Sequence, residues 1–206
     1  MTFKSILNKL SFSEDLTLIE AGWALTQIME GEVPEEQIAA FLTAMRMKGE
    51  TVDELTAFVK VMRDKSIKVD VDVTNAIDLV GTGGDKSGTF NISTAASFVV
   101  AGAGVPVIKH GNRSASSKCG SADVLEYLGA AIELGKEGVE QVYDEVGMAF
   151  MFAPMFHPAM KYVMPTRRQL GFRTFFNILG PMANPAGVKK YVIGAFDNEV
   201  AHKMAS

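Results

Sequence analysis

Gly81-Thr82-Gly83-Gly84-Asp85, followed by Asn91-Ile92-Ser93-Thr94, lies between two apolar stretches, Ala76-Ile77-Asp78-Leu79-Val80 and residues 95–100. The first reads as a short buried strand and the second as an apolar helix, so the glycines sit where a strand hands over to a helix. Three glycines in four positions let the backbone take positive φ and come close to a ligand. Their N–H groups can converge on an anion, and the start of the following helix adds its positive end. Asn91, Ser93 and Thr94 place short polar side chains where they cap the helix or face that ligand. Two commoner phosphate loops do not fit. A dinucleotide fingerprint needs glycine where Lys86 stands, and a Walker A loop from Gly83 would need Lys after Gly88, where Thr89 and Phe90 follow. Asp85 would repel a bare phosphate. It implies a nearby Mg²⁺ or a carboxylate that accepts loop N–H bonds.

Around this stretch, strands are predicted at 77–80, 105–108, 149–152 and 191–195. Helices are predicted at 94–101, 122–128, 137–145, 158–163 and from 200 onward. Such alternation implies βαβ units and a mostly parallel sheet. Ligands of these sheets lie beyond the carboxyl ends of the strands, where the glycine loop and Lys109-His110-Gly111-Asn112-Arg113 both emerge. The two loops are expected to face one crevice. Lys109 and Arg113 suit phosphate oxygens, with Gly111 as a pivot. Ser114, Ser116 and Ser117 follow, and Ser121 opens a second helix whose start suits an anion. The single cysteine, Cys119, excludes an internal disulfide and reads as a small packed residue. Phe156-His157-Pro158 reads as structural before catalytic. Residues 170–181 read as a packed helix ended by the rigid turn Gly180-Pro181.

The first seventy or so residues are helical by pattern. Thr17-x-x-Glu20 is a possible capping box, and Pro34 fits a first helical position. Ile38, Phe41, Leu42 and Met45 recur at helical spacing. Thr51-x-x-Glu54 precedes Leu55, Phe58, Val59 and Met62 in the same rhythm. Three short amphipathic helices make a thin core, so they should dock on the rest of the chain or on a second subunit. The fold class is therefore α/β, with a small helical domain at 1–70 and a larger, mostly parallel domain at 71–206. The 206 residues are 48% hydrophobic and 21% charged, with a net charge of −4. That is a globular composition with no field drawing it to nucleic acid or an anionic membrane. No apolar run approaches the roughly 20 residues of a membrane span. Residues 1–8 lack a signal-peptide core, and the expectation is a cytoplasmic protein.

Five motifs occur in order: the glycine loop 81–85, Asn91-Ile92-Ser93-Thr94, Lys109-His110-Gly111-Asn112-Arg113, Cys119-Gly120-Ser121-Ala122-Asp123, and residues 171–181. Together they closely resemble the anthranilate phosphoribosyltransferase family of tryptophan biosynthesis, over essentially the whole chain. The resemblance implies transfer of phosphoribose from 5-phosphoribosyl 1-diphosphate to anthranilate, with release of diphosphate and with Mg²⁺. It implies a fold of the nucleoside-phosphorylase type and a homodimer paired through the helical part. The donor would be held by Gly81, Gly84, Asp85, Thr89, Asn91, Ile92, Ser93, Thr94, Lys109, His110, Gly111, Asn112, Arg113, Ser114, Ala115, Ser116, Ser117 and Ser121. Ser93 would also ligate Mg²⁺. Gly81, Asn112 and Arg167 would contact anthranilate, with His110 and His157 lining its approach. The helix bearing Arg167 packs with the small domain in that family, which makes the boundary near residue 70 approximate. No residue is assigned as acid or base, because an arylamine is already a nucleophile.

That family carries an acidic Mg²⁺-binding pair further along the chain. This sequence reaches Ser206 without one after the glycine loop, so the expectation is a truncated polypeptide without turnover of its own. The alternatives are a pyrimidine nucleoside phosphorylase, which shares the fold type, and a non-catalytic donor-binding fragment.

Overall fold

In the computed structural model, residues 1–83, 88–114 and 119–206 are described. Their helices and strands run α1 (Phe3–Ser11), α2 (Leu18–Glu30), α3 (Glu35–Lys48), α4 (Val52–Asp64), β1 (Ile77–Gly81), α5 (Ile92–Gly102), β2 (Val107–Gly111), α6 (Ser121–Tyr127), α7 (Lys136–Val146), β3 (Met148–Phe152), α8 (Ala153–Phe156), α9 (Met164–Leu170), α10 (Phe176–Leu179), β4 (Lys190–Gly194) and α11 (Asn198–Ala205). Short 3-10 turns follow α8 and α10. No described helix is long and apolar enough to cross a membrane.

The chain divides into two units. One comprises Met1–Ser66, Pro158–Ala183 and His202–Ser206, and the other Ile67–His157 and Asn184–Ala201. The helical unit is thus discontinuous in sequence, and a linear cut near residue 70 leaves residues 158–183 on the wrong side. In this unit the expected capping boxes form. Thr17 and Thr51 accept the amides of Glu20 and Glu54, whose carboxylates reach back to the N-cap amides. Glu54 is fully buried and also accepts the Leu16 amide and Lys48 Nζ. Pro34 is the N-cap of α3, one residue earlier than predicted. Helix α1 was not singled out by pattern. Its Phe3, Ile6 and Leu10 are buried, and its cap pairs Thr2 with Ser5 in place of the usual Glu. Residues 170–181 do not make one helix. Gly171, at φ 67°, ends α9, and α10 is a single turn followed by the 3-10 turn Gly180–Met182.

The second unit is built on a four-stranded parallel sheet of order β3-β2-β1-β4. Ile77 pairs with Lys190 and Gly81 with Gly194, while Val107 pairs with Met148 and Gly111 with Phe152. This register brings the carboxyl ends of the strands to one edge. One face packs Ile108, Ala149 and Met151 against Val139, Tyr143 and Phe156, and the other packs Phe150 and Phe152 against Ala122 and Leu125. Helix α5 departs from its apolar reading. It buries Thr94 and Ser97 and leaves Phe98 and Val99 exposed.

Candidate functional site

The chain leaves the same sheet edge at Thr82 after β1, at Asn112 after β2 and at Ala153 after β3. The segments after β1 and β2 are tied together. Asn91 does not cap α5 with its side chain; its Nδ2 donates to Cys119 O at 3.2 Å. Thr94 Oγ1 donates to Ser121 Oγ at 3.1 Å. The described ends of the two segments are therefore tied to each other. Cys119 is exposed, not packed as expected. Gly84, Asp85, Ala115, Ser116 and Ser117 of the expected donor set lie outside the described residues. Gly81 ends β1, Asn112 follows β2 and Ile92 opens α5, while Thr89 is exposed in the segment before α5.

Lys109 and His110 were read as loop residues, but β2 continues through Gly111, because Lys109, His110 and Gly111 pair with Phe150, Met151 and Phe152. Successive strand residues point to opposite faces, and the two side chains part accordingly. Lys109 is buried and donates from Nζ to Leu79 O and, at 3.3 Å, to Ser93 Oγ. Burial lowers its pKa to about 8, against the pull of Asp78. His110 is buried with its ring 5.0 Å from that of His157. A Cβ on Gly111 would lie 2.6 Å from Phe150 Cε2, so a side chain there would require the Phe150 ring to shift.

Asp78 and Asn184 have no place in the expected site. Asp78 is fully buried, and its Oδ2 accepts Asn184 Nδ2 at 2.8 Å while both oxygens lie 3.3 Å from the His110 amide. Asn184 Nδ2 also donates to Ile108 O at 3.0 Å. Burial raises the Asp78 pKa to about 6, although Asn184, Lys109 and the His110 amide oppose the shift. A carboxylate inside an apolar strand is itself the signal of a buried partner.

Arg113 was expected to face phosphate. Here its guanidinium donates to Glu126 at 2.7 and 3.0 Å and to Asp123 at 3.1 Å, contacts that raise its already high pKa. Ser114 is half-buried and its amide donates to Asp123. The start of α6, expected to receive an anion, is partly occupied by protein: the Gly120 amide donates to Asp123 and the Ala122 amide to Asn112 O. In the helical unit, Arg167 near the end of α9 lies over the Phe176 ring at 5.1 Å and donates to Asn177 Oδ1 at 3.4 Å. Burial lowers its pKa.

For a divalent cation, the described residues include no cluster of three or more His, Cys, Asp or Glu side chains. Ser93 Oγ is a hard oxygen of the type Mg²⁺ takes, and the bond from Lys109 leaves it a second lone pair. It fits as one ligand among the phosphate oxygens of a substrate and does not form a metal site by itself.

One unit of the chain is a helical bundle and the other is built on a parallel sheet. The description "Glycosyl transferase family, a/b domain" matches residues 73–206, and "Glycosyl transferase family, helical bundle domain" matches residues 4–66. The chain belongs to this glycosyl transferase family. Within it, the chain is 55% identical over 202 residues to an anthranilate phosphoribosyltransferase from Pelotomaculum thermopropionicum, covering 98% of this chain and 59% of that protein. It is 54% identical over 200 residues to the enzyme of that name from Salinibacter ruber, covering 97% of this chain and 58% of that protein. The crystal structure of anthranilate phosphoribosyltransferase from Thermus thermophilus superposes with a TM-score of 0.91 at 44% identity, over 97% of this chain and 60% of that one. The Saccharomyces cerevisiae enzyme in complex with PRPP and Mg gives a TM-score of 0.91 at 29% identity, over 98% of this chain and 61% of that one. The chain thus spans about 60% of the length of these relatives. The resemblance read from the five motifs and the expected two-part fold both hold.

Proposed function

We propose that this chain carries the donor-binding and acceptor-binding residues of an anthranilate phosphoribosyltransferase, which moves phosphoribose from 5-phosphoribosyl 1-diphosphate to anthranilate. The observation that carries the reading is the cross-tied sheet edge. Asn91 is bonded to Cys119 and Thr94 to Ser121, and Lys109 donates from its ammonium to Ser93. At neutral pH a lysine with a pKa of about 8 is mostly charged and adds positive potential where diphosphate departs. We assign the donor to the residues that the resemblance implies, from Gly81 to Ser121. Mg²⁺, held by Ser93 and donor oxygens, supplies charge neutralisation of the leaving group. For the acceptor we assign Gly81, His110, Asn112 and His157, and Arg167 as partner of the carboxylate. No general base is needed, so alignment of the amine with C1 is the main task of these residues.

The same reading places the protein in the cytoplasm, as a homodimer paired through the helical unit, where Phe12, Ile19 and Met47 are exposed. Sedimentation at micromolar concentration tests the dimer. Calorimetry with 5-phosphoribosyl 1-diphosphate, with and without Mg²⁺, and then with anthranilate tests the function. The expected result is Mg²⁺-dependent donor binding. Arg167→Ala should weaken anthranilate by about tenfold to a hundredfold, the equivalent of one lost charged hydrogen bond, and leave the donor unaffected. Binding of a pyrimidine nucleoside and phosphate in place of these two substrates would overturn the reading.

A further inference from the structure

We propose that Asp123 is a positioning residue for the phosphoribosyl donor: its carboxylate closes the loop after β2 by bridging the backbone at the two ends of that loop. The proposal rests on the donor-site reading above and adds to it a residue outside the assigned donor set. Asp123 lies in the first turn of α6. Its Oδ2 accepts the Ser114 amide at 3.0 Å and the Gly120 amide at 2.7 Å, and its Oδ1 accepts Arg113 Nη1 at 3.1 Å. Asn112 O accepts the Ala122 amide at 3.2 Å, which adds a second tie between the same chain segments.

The two ends touch. A Cβ on Gly120 would lie 2.3 Å from Ser114 N and 2.6 Å from Arg113 C, both backbone atoms that cannot swing aside. Glycine at 120 is what allows the approach, and Asp123 is what holds it. The two amides, aided by Arg113, keep the Asp123 carboxyl below its usual range, so it is ionised at neutral pH. A negative charge beside a phosphate site would ordinarily repel the ligand. Here both oxygens face loop amides and a guanidinium, which offset that charge locally.

The test uses the 206-residue chain, 5-phosphoribosyl 1-diphosphate with Mg²⁺, and anthranilate, each titrated calorimetrically. The amide resonances of Ser114 and Gly120 are followed alongside. Asp123→Ala should weaken the donor by at least about tenfold, as loss of charged hydrogen bonds does, leave anthranilate affinity unchanged, and move both amide resonances upfield. Asp123→Asn retains an acceptor oxygen and should restore part of the donor affinity. Gly120→Ala should reproduce the donor defect with Asp123 in place. Unchanged donor affinity in Asp123→Ala overturns the proposal, as does a parallel loss of both substrates. If Asp123→Ala lacks a cooperative melt, the isosteric Asp123→Asn decides: wild-type donor affinity with wild-type amide shifts overturns it. Failure of the unaltered chain to bind donor counts against the functional reading instead. The Ser114 and Gly120 resonances then still decide the bridge, and unchanged shifts in Asp123→Ala remove it.

Discussion

Asp78 sits at full burial in the second position of β1, in a strand otherwise made of Ile77, Leu79, Val80 and Gly81. Its folded pKa of about 6 lies above the ordinary 3.8 because burial disfavours the charge. An acid whose pKa is raised by folding contributes stability that is fully present below its unfolded value and is lost as pH rises through the folded value. The window here is about pH 4 to 6. Lys109 has the opposite sign: its pKa falls from 10.5 to about 8, so its contribution is present above the unfolded value and lost as pH drops through about 8. Between pH 6 and 8 both groups are charged and buried, and the hydrogen bonds that Asp78 accepts from Asn184 and the His110 amide, together with the attraction between Asp78 and Lys109, offset the burial. Asp78→Asn keeps the shape and the hydrogen bonds of Asn184 and His110 but cannot ionise. The unfolding free energy of the wild type minus that of Asp78→Asn should therefore fall between pH 4 and 6 by on the order of 3 kcal/mol. Denaturant titrations at a series of pH values measure this difference, and parallel profiles would remove Asp78 as its source. The carboxylate was legible inside the strand. Its partner was not, because Asn184 lies 106 residues away and no local pattern joins them.

At the scale of elements, strand and helix alternation was read to within a few residues, since buried strands and amphipathic helices carry their period in the sequence. The miss at β2 was consequential: pairing with β3 extended the strand through Gly111 and sent Lys109 and His110 to opposite faces. The contacts of Arg113 also depend on an element. Helix α6 presents Asp123 and Glu126 three residues apart, on one side of the helix, and both meet the guanidinium. The Arg113 and Glu126 side chains are 40% and 52% exposed, and such surface pairs contribute little to stability. Glu126→Gln should accordingly leave stability nearly unchanged. It removes a competitor for Arg113 and a charge that repels phosphate, so donor affinity should rise by up to about fivefold. Calorimetry on the variant checks this, and unchanged or weaker donor binding would take Arg113 out of the donor set.

Over the whole chain, the return of residues 158–183 to the helical unit has the largest consequence for folding. Phe175 stacks on Phe58 with ring centroids 4.4 Å apart and meets Phe41 edge-on at 6.1 Å. All three rings are fully buried, and Arg63 Nε donates to Met182 O at 2.8 Å. The helical rhythm of Phe41 and Phe58 was visible in the sequence. The ring that completes their cluster comes from more than a hundred residues later, in a segment with no strong period of its own. The helical family match ends at residue 66, yet the packing does not. A domain below about 70–80 residues has only a few kcal/mol of stability from its own core, and truncating a buried Phe to Ala typically costs about 3–5 kcal/mol. Phe175→Ala in the full chain should therefore destabilise the helical unit by that amount. An excised chain of residues 1–66 loses Phe175 together with Phe176, Leu179 and the Met182 carbonyl. It should keep far-UV helicity but lack a fixed near-UV aromatic signal and a sharp thermal transition. A cooperative melt of residues 1–66 with the aromatic signal of the intact chain would show that the four N-terminal helices close their own core and that residues 158–183 only lie upon it.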